Sequence, residues 1–317
     1  MDKNDVLVLA QIRPAQMQML EERYQLHRYD QASDAERTEM LARYGERIRA
    51  VLTTYDGGFE KELLDQLPNL EVVACSSVGF DSLCVNDCQA RGIPVTNTPD
   101  ALTDDVADLG MLLLLATVRR LLPGTDWIRS GKWVGQGVMP LSTSLKGKTL
   151  GIVGLGRIGK AFARRAELSG MNICYYGRCQ QADVSYPYYS NLEALARDVD
   201  VLAPVVPGGA ETQGLISREV LSALGPNGYF INIARGSVVD EPALVELLQR
   251  GALAGAGLDV FADEPNVPQA LIELDNVVLQ PHLGSATVET RDAMAQLAVD
   301  NLAAHFEGRP LLTPVPT

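Results

Sequence analysis

Residues 149–168 read TLGIVGLGRIGKAFARRAEL, and this stretch decides the fold. An apolar run leads into the glycine pattern GLGRIG, and the residues that follow repeat with the period of a helix. A bare GxGxxG is weak evidence, but the strand-turn-helix setting makes it a strong indication of a dinucleotide site. Gly154 permits the tight turn, Gly156 lets the backbone approach a pyrophosphate, and Gly159 allows helix and strand to pack closely. The alternative is a glycine-rich turn that binds nothing.

Apolar runs rich in valine and isoleucine alternate with helix-period segments on both sides of this stretch. Alternation of this kind predicts α/β architecture, with parallel sheets covered by helices. A break after IPVTNTP separates two such series, and Thr103 begins a long apolar helix that we expect to reach about Leu122. We therefore predict two doubly wound domains. Because the first series lacks a closing helix, we expect the last helix, from about Ala286 to Phe306, to return to it.

The bulk properties exclude several classes of protein. The 317 residues are 46% hydrophobic and carry a formal net charge of -13, which argues against nucleic acid or an anionic membrane as the main partner. Apolar runs fall well short of the ~20 residues that a membrane helix needs, and the N-terminus does not resemble a signal peptide. The five cysteines form no CxxC pair, so we expect free thiols, no metal site and a cytoplasmic protein.

The strand after the glycine turn, NICYYGRCQ, indicates which dinucleotide is preferred. An NAD site usually places Asp or Glu there to bind the ribose 2′-hydroxyl. Here the strand ends in Gly177 and Arg178, and no carboxylate appears before Asp183. A guanidinium can pair with a 2′-phosphate, so the sequence favours NADP(H), with NAD(H) as the weaker possibility. An ordinary solvated arginine is the alternative.

Three side chains in the second half suit the reduction of a ketone. Arg235 and His282 each follow an apolar strand, and Glu264 lies a few residues past another. The carboxyl ends of neighbouring parallel strands line one crevice, so all three are predicted to face one pocket. Histidine suits proton donation near neutral pH, a carboxylate beside it favours imidazolium, and arginine suits a substrate carboxylate. We expect the other histidines, His27 and His305, at a surface strand and a helix position.

The whole chain resembles the D-isomer-specific 2-hydroxyacid dehydrogenase family, most closely its NADPH-dependent glyoxylate/hydroxypyruvate and hydroxyphenylpyruvate reductases. The resemblance rests on six motifs spread nearly from end to end. They are SVGFD (77–81), VTNTPDALTDDVADL (95–109), GLGRIG (154–159), INIARGSVVDEPAL (231–244), GAGLDVFADEP (255–265) and PHLGSATVETR (281–291).

The resemblance implies two Rossmann-like domains with the active site in the cleft between them. Residues 1–100 and 287–317 would form a flavodoxin-like substrate domain, and residues 101–286 the NADP-binding domain. It also implies a homodimer joined through the nucleotide domain, with the irregular stretch 123–148 reaching toward the partner. Trp133 lies in that stretch, and either contributes to the partner's substrate pocket or is a plain interface residue.

The resemblance further implies a role for individual residues. Arg235, Glu264 and His282 would be catalytic, and Val78, Gly79 and Ser285 would bind substrate together with Arg235 and His282. The cofactor contacts would be Gly154, Leu155, Gly156, Arg157, Ile158, Gly159, Gly177, Arg178, Pro207, Thr212, Ile233, Ala234, Arg235, Asp259, His282 and Gly284. One departure is Pro207-Gly208-Gly209, where relatives commonly read Pro-Leu-Thr, which puts a side-chain contact from position 209 in doubt and predicts a looser loop.

The predicted reaction is NADPH-dependent reduction of small 2-oxo acids, glyoxylate to glycolate and hydroxypyruvate to D-glycerate. Within the same class, 2-ketogluconate or an aryl-pyruvate are alternative substrates, since one pocket substituent changes discrimination by only ~1–3 kcal/mol. A dinucleotide-sensing protein without catalysis is the alternative from another class, because one fold supports unrelated functions. Such a protein should show a degraded catalytic set, whereas all three residues are present here.

Overall fold

The computed structural model describes residues 3–316, and the chain divides into two compact units. One unit contains the described residues up to Leu102 together with those from Thr287 onward, and the other spans Thr103–Ala286. The division along the chain therefore lies two residues beyond the boundary expected from the sequence at residue 100.

The first unit is built on a five-stranded parallel sheet in the order β2-β1-β3-β4-β5. Written by position, this is the 2-1-3-4-5 order of a flavodoxin-like doubly wound sheet. Its strands are β1 (Asp5–Val8), β2 (Gln25–Arg28), β3 (Ile48–Thr53), β4 (Val72–Cys75) and β5 (Val95–Thr96). Its helices are α1 (Pro14–Arg23), α2 (Asp34–Tyr44), α3 (Lys61–Leu64), α4 (Val85–Ala90) and α13 (Val288–Phe306).

Both faces of this sheet are buried, as the continuous apolar strands require. Val6 and Val8 on β1 pack in one cluster with Leu302 of α13, while Leu7 between them packs in a second cluster on the opposite face. The C-terminal helix thus belongs to the first unit and covers one face of its sheet. The structure confirms the expectation that the end of the chain returns to the N-terminal series.

The second unit is built on a seven-stranded parallel sheet in the order β12-β11-β10-β9-β6-β7-β8. Counted from its first strand, this is the Rossmann order 3-2-1-4-5-6 with one further strand at the edge. Its strands are β6 (Thr149–Val153), β7 (Asn172–Tyr176), β8 (Tyr188–Tyr189), β9 (Val201–Pro204), β10 (Tyr229–Asn232), β11 (Gly255–Leu258) and β12 (Val277–Leu279). Its helices are α5 (Thr103–Val118), α6 (Leu121–Arg129), α7 (Lys132–Gln136), α8 (Arg157–Leu168), α9 (Leu192–Asp198), α10 (Arg218–Leu224), α11 (Glu241–Gln249) and α12 (Gln269–Ile272).

Two expectations about the helices of the second unit are wrong. The long apolar helix does not continue to Leu122, because α5 ends at Val118 and Arg120 adopts a left-handed conformation with φ 53°. The stretch 123–148 is also more regular than expected, since it contains the rest of α6 and all of α7.

His27 is not at the surface but is 6% exposed. Its Nε2 lies 2.6 Å from Oδ1 of Asp5, and its ring lies 4.5 Å from that of Tyr44 on α2. The alternating pattern of QLHRYD therefore belongs to a strand whose histidine is covered by a neighbouring helix. His305 lies on α13 as expected, partly buried against Glu71.

Candidate active site

The glycine turn after β6 has the geometry that a dinucleotide requires. Gly154 has φ 98°, and a Cβ there would meet Val206 at 2.6 Å, so the turn requires glycine. A Cβ on Gly159 would lie 2.5 Å from the carbonyl oxygen of Gly154, which shows how closely α8 packs on the turn. A Cβ on Gly156 would meet nothing within 4 Å, so this glycine borders open space at the N-terminus of α8. Backbone N–H groups and the helix dipole there suit a phosphate.

The end of β7 carries the positive charge expected from the sequence. Arg178 is exposed and has no ion-pair partner within residues 3–316, while Gly177 before it is half-buried. The first carboxylate that follows, Asp183, accepts a hydrogen bond from Lys160 of α8 at 2.6 Å. That bond lowers the pKa of Asp183, so the carboxylate is already neutralised by a lysine. The strand end is therefore basic.

Arg235 lies in a turn after β10 that two neighbouring residues shape. The buried Asn232 side chain donates to the Arg235 carbonyl at 3.0 Å and accepts from the Ala234 N–H at 3.0 Å. A Cβ on Gly236 would lie 1.9 Å from the Phe261 carbonyl group, so only glycine allows this turn to pack against the segment after β11. The sequence reasoning missed both residues, although an asparagine inside the apolar run FINIA is an available signal.

His282 and Glu264 form a hydrogen-bonded pair. Nδ1 of His282 lies 2.7 Å from Oε2 of Glu264, and Oε1 of the same carboxylate accepts the Phe261 N–H at 2.9 Å. The two side chains are 34% and 30% exposed, so the pair is partly shielded but accessible. The juxtaposition predicted from the sequence is therefore present in the second unit.

The surroundings of the pair favour the imidazolium and carboxylate forms. The hydrogen bond to Glu264 raises the pKa of His282 and outweighs the opposing effect of burial. For Glu264, burial opposes ionisation, but the donors from His282 and Phe261 together lower its pKa. The positive charge of Arg235 acts in the same direction as those donors on the Glu264 carboxyl and opposes protonation of His282. All three predicted residues thus interact electrostatically.

Asp259 holds the turn that carries His282. Its carboxylate accepts the Leu283 N–H at 2.6 Å and the Gly284 N–H at 2.9 Å, and its carbonyl accepts the His282 N–H at 2.8 Å. His282 has φ 54°, a left-handed conformation that is uncommon for a residue with a side chain. Asp259 is 2% exposed, and burial raises the pKa of its carboxyl to about 6, against the N–H donors. The turn is thus fixed by a buried acid that sequence reasoning assigned only to the cofactor.

The predicted carboxylate-binding loop lies in the first unit, directly after β4. Val78 and Gly79 are half-buried, and the carbonyl of Val78 accepts the side-chain amide of Asn97 at 2.9 Å. Asn97 is 8% exposed and is itself held by Thr313, whose hydroxyl donates to the Asn97 carbonyl at 2.6 Å. The amide of Asn97 therefore orients the Val78–Gly79 peptide, a role that sequence reasoning did not assign.

The other predicted cofactor contacts lie on loops, at strand ends or at the start of α8 in the second unit. The hydroxyl of Thr212 donates to the carbonyl of Pro207 at 2.7 Å, which closes the loop through Gly208 and Gly209. Gly209 has φ 122°, so the residue that departs from the family pattern adopts a backbone that other residues avoid. The hydrogen bond from Thr212 restrains the loop that the glycines were expected to loosen. Of the remaining predicted cofactor contacts, Leu155, Ile233, Ala234 and Gly284 are buried, Ile158 is half-buried and Arg157 is exposed. Ser285, predicted to bind substrate, is half-buried.

Residues 3–316 contain no metal-binding cluster and no membrane-spanning helix. No group of three or more His, Cys, Asp or Glu side chains is arranged to hold a metal ion. No helix in the described part of the chain combines the length and apolarity needed to cross a membrane.

Comparison with known proteins gives consistent results. The family model of the D-isomer specific 2-hydroxyacid dehydrogenase NAD binding domain matches residues 111–284. Hydroxyphenylpyruvate reductase of Plectranthus scutellarioides is 48% identical over 315 residues, which are 99% of this chain and 100% of that protein. Glyoxylate/hydroxypyruvate reductase A of Arabidopsis thaliana is 48% identical over 296 residues, 93% of this chain and 94% of that protein.

A solved structure is also similar. It is an NADPH-dependent glyoxylate/hydroxypyruvate reductase from Sinorhizobium meliloti in complex with NADP and malonate, and it is 44% identical to this chain. The TM-score is 0.89, with 99% of this chain and 97% of that chain covered.

Proposed function

Since the chain belongs to the D-isomer-specific 2-hydroxyacid dehydrogenase family, we propose that it is an NADPH-dependent reductase of glyoxylate and hydroxypyruvate. Family membership makes it an oxidoreductase of small 2-hydroxy acids and confirms the resemblance deduced from the motifs. The observation that carries the proposed reaction is the hydrogen bond of 2.7 Å between His282 and Glu264, which favours the charged, proton-donating form of His282. The products would be glycolate and D-glycerate.

The described residues fit a dinucleotide. Gly156 leaves open space at the N-terminus of α8, where N–H donors suit the pyrophosphate, and Arg178 presents a guanidinium where a 2′-phosphate would lie. Asp183, the first acid after the strand, is engaged by Lys160 and is a poor candidate for the ribose hydroxyl. The structure of the Sinorhizobium reductase, a complex with NADP, supports the same preference. We therefore assign NADP(H), with NAD(H) as the weaker donor.

Substrate binding and proton transfer are assigned to residues of this chain. Backbone N–H groups at Val78 and Gly79 hold the substrate carboxylate, and Arg235 binds the carboxylate and carbonyl with its fork of donors. Ser285 adds a hydroxyl near the substrate. Bound NADPH supplies a hydride to the carbonyl carbon. His282 donates the proton on Nε2 to the carbonyl oxygen as the carbon–oxygen double bond becomes an alcohol, because Nδ1 is committed to Glu264.

The remaining predicted contacts would surround the cofactor. Pro207 and Thr212 lie on the loop that Thr212 closes. Ile233, Ala234 and Gly284 are buried at strand ends of the same sheet, where dinucleotides bind in open α/β folds. Asp259 would act indirectly, by holding the turn that carries His282 and Gly284.

We also propose a homodimer formed through the segment 123–148. Its apolar side chains are strongly exposed: Trp133 is 61% exposed, Val134 95%, Val138 83% and Leu141 91%. A run of such side chains is typical of a surface that another protein covers. Trp133 is then an interface residue that reaches the partner's substrate pocket or simply packs in the interface.

The five free cysteines suit the reducing interior of the cytoplasm.

A comparison of substrates and cofactors tests the reaction. Initial rates should be measured for glyoxylate, hydroxypyruvate, phenylpyruvate and 2-ketogluconate, each with NADPH and with NADH. We expect the highest kcat/KM for glyoxylate or hydroxypyruvate with NADPH. A clear preference for phenylpyruvate or 2-ketogluconate would move the main substrate to one of those acids, and no turnover of any of them would contradict the proposed function.

A further inference from the structure

A cavity of about 190 Å³ lies in the first unit at the carboxyl edge of its sheet. Its walls come from residues that follow three neighbouring strands: Gln11 and Ile12 after β1, Thr54 after β3 and Ser76 after β4. In an open parallel sheet, this edge is where ligands bind. The glycine turn and the His282 turn belong to the other unit, so this cavity is built from a separate set of residues.

Two arginines give the cavity its charge. Arg13 and Arg291 both line it, and no acidic side chain does so among the described residues. Arg13 is neutralised, because its Nε lies 2.5 Å from Oδ1 of Asp292. Arg291 has no carboxylate within ion-pairing distance in the described part of the chain. The cavity therefore presents one uncompensated positive charge, together with the hydroxyls of Thr54 and Ser76.

The cavity is adjacent to the loop assigned to the substrate carboxylate. Ser76 lines it, and the next residues along the chain are Ser77, Val78 and Gly79. The loop is held in place, because the Ser77 hydroxyl accepts the Tyr55 N–H at 2.9 Å and Asn97 holds the Val78 carbonyl. For a substrate whose carboxylate is bound at Val78–Gly79, the positively charged cavity begins at Ser76, two residues earlier in the chain.

We propose that this cavity is a subsite for a second carboxylate, and that the enzyme also reduces dicarboxylic 2-oxo acids. The inference rests on the proposed function, since it places the reacting carboxylate on the Val78–Gly79 loop. Arg291 would bind the distal carboxylate through its fork of N–H donors, the geometry that guanidinium offers to a carboxylate. Ile12 and Ala295 would contact the intervening methylene groups.

The size of the cavity agrees with such a group. A volume of about 190 Å³ is far above the ~10–15 Å³ needed to hold one water molecule. A carboxylate with one or two methylene groups fits this space. Glyoxylate and hydroxypyruvate have no second carboxylate that Arg291 could bind.

The test compares acids that differ only in the distal charge. The kcat/KM with NADPH should be measured for 2-oxoglutarate against 2-oxovalerate, and for oxaloacetate against 2-oxobutyrate. We expect the diacid to be favoured by about tenfold or more in at least one pair, as a charge-assisted hydrogen bond provides. Arg291→Gln should bring that ratio close to one, and Arg291→Lys should keep part of it.

Arg23→Gln is the matched control, because Arg23 is an exposed arginine at the far end of α1 in the same unit. It should leave the ratio as in the unmodified enzyme. The subsite would be overturned by a ratio at or below one in both pairs, or by a ratio that Arg291→Gln leaves intact. Turnover of glyoxylate would still support the proposed function in either case. If no 2-oxo acid is reduced, titration calorimetry of 2-oxoglutarate tests the subsite separately, with the NADP⁺-bound enzyme and its Arg291→Gln variant. Weaker binding by the variant would support the subsite. Equal binding by the two proteins, or no binding by either, would overturn it.

Discussion

Nδ1 of His282 lies 2.7 Å from Oε2 of Glu264, and this contact favours the charged form of both side chains. The hydrogen bond raises the pKa of His282 and helps to lower that of Glu264, so both groups are charged over a wider pH range than either would be alone. The His282 contribution to folding stability is complete below its ordinary value of 6.5 and is lost as pH rises through the raised value. The Glu264 contribution is present above its ordinary value of 4.5 and is lost as pH falls through the lowered value.

Glu264→Gln should move the alkaline limit of reduction to lower pH. Reduction needs protonated His282, so its rate falls as pH rises through the histidine pKa, and without the carboxylate that pKa returns toward its ordinary value. For each pKa unit lost, we expect about a tenfold lower kcat/KM on the alkaline side, with partial recovery in acid. A pH profile of kcat/KM measures this. Glu273→Gln, an exposed acid of the same unit, should keep the original profile. An unshifted pH profile in Glu264→Gln would show that the Glu264 carboxylate does not raise the pKa of the proton donor.

His282→Ala should lower turnover by ~10²–10⁴ while NADPH still binds, because the proton donor is lost but the glycine turn is intact. The left-handed backbone at His282 complicates this variant, since alanine is unfavourable there. His282→Asn is therefore the better test, because asparagine tolerates that conformation but does not transfer a proton. Steady-state rates and fluorescence titration of NADPH measure the two effects. His305→Ala should retain turnover, and retained turnover in both His282 variants would remove this residue from the chemistry.

Much of this site could be predicted from the sequence because its signals are local. The glycine pattern, the missing acid after NICYYG and the residues after the apolar strands are all visible without knowing the fold. Asn97 and Gly236 were not predicted, because their roles depend on contacts with Val78 and with Phe261 that join distant parts of the chain. His27 was placed at the surface for the same reason, since its partners on β1 and α2 are unknown until the sheet is assembled.

Asp259→Asn should lower kcat by about tenfold or more, because an amide presents only one acceptor to the two N–H groups of Leu283 and Gly284. Its signature is the pH dependence of stability. The raised pKa of Asp259 means that its contribution is full below 3.8 and is lost as pH rises through about 6, up to about 3 kcal/mol for a shift of this size. Urea unfolding from acid to neutral pH should show that this fall is absent in the variant. Asp275→Asn, at an exposed acid, should show the same fall in stability as the unmodified protein. If Asp259→Asn also shows that fall, the fall is due to other titrating groups.

Asn97→Ala should raise the KM for glyoxylate about fivefold to tenfold, because the Val78 carbonyl loses the donor that orients its peptide, a bond worth ~1 kcal/mol. The Kd for NADPH should stay within about twofold, a difference of under ~0.5 kcal/mol, since no predicted cofactor contact lies on that loop. Thr313→Val is the matched structural control, because it removes a bond to the Asn97 backbone but leaves the amide in place. Equal rises in KM for the two variants would reduce the role of Asn97 to general stability.

Gly177→Asp combined with Arg178→Ser should shift preference from NADPH toward NADH. A Cβ at Gly177 would meet only the Cys179 carbonyl oxygen, at 3.9 Å, so an aspartate fits without displacing the backbone. The new carboxylate could accept from the ribose 2′-hydroxyl and would repel a 2′-phosphate, while the serine removes the guanidinium that pairs with it. We expect the ratio of kcat/KM for the two donors to change by at least about a hundredfold, since one charge-assisted pair is lost and one repulsion is added. Arg197→Ser, at an exposed arginine in the last turn of α9, controls for the loss of one surface positive charge and should leave the ratio unaltered. If the unmodified enzyme already prefers NADH, Arg178 is a solvated side chain and the strand end of β7 does not select the cofactor.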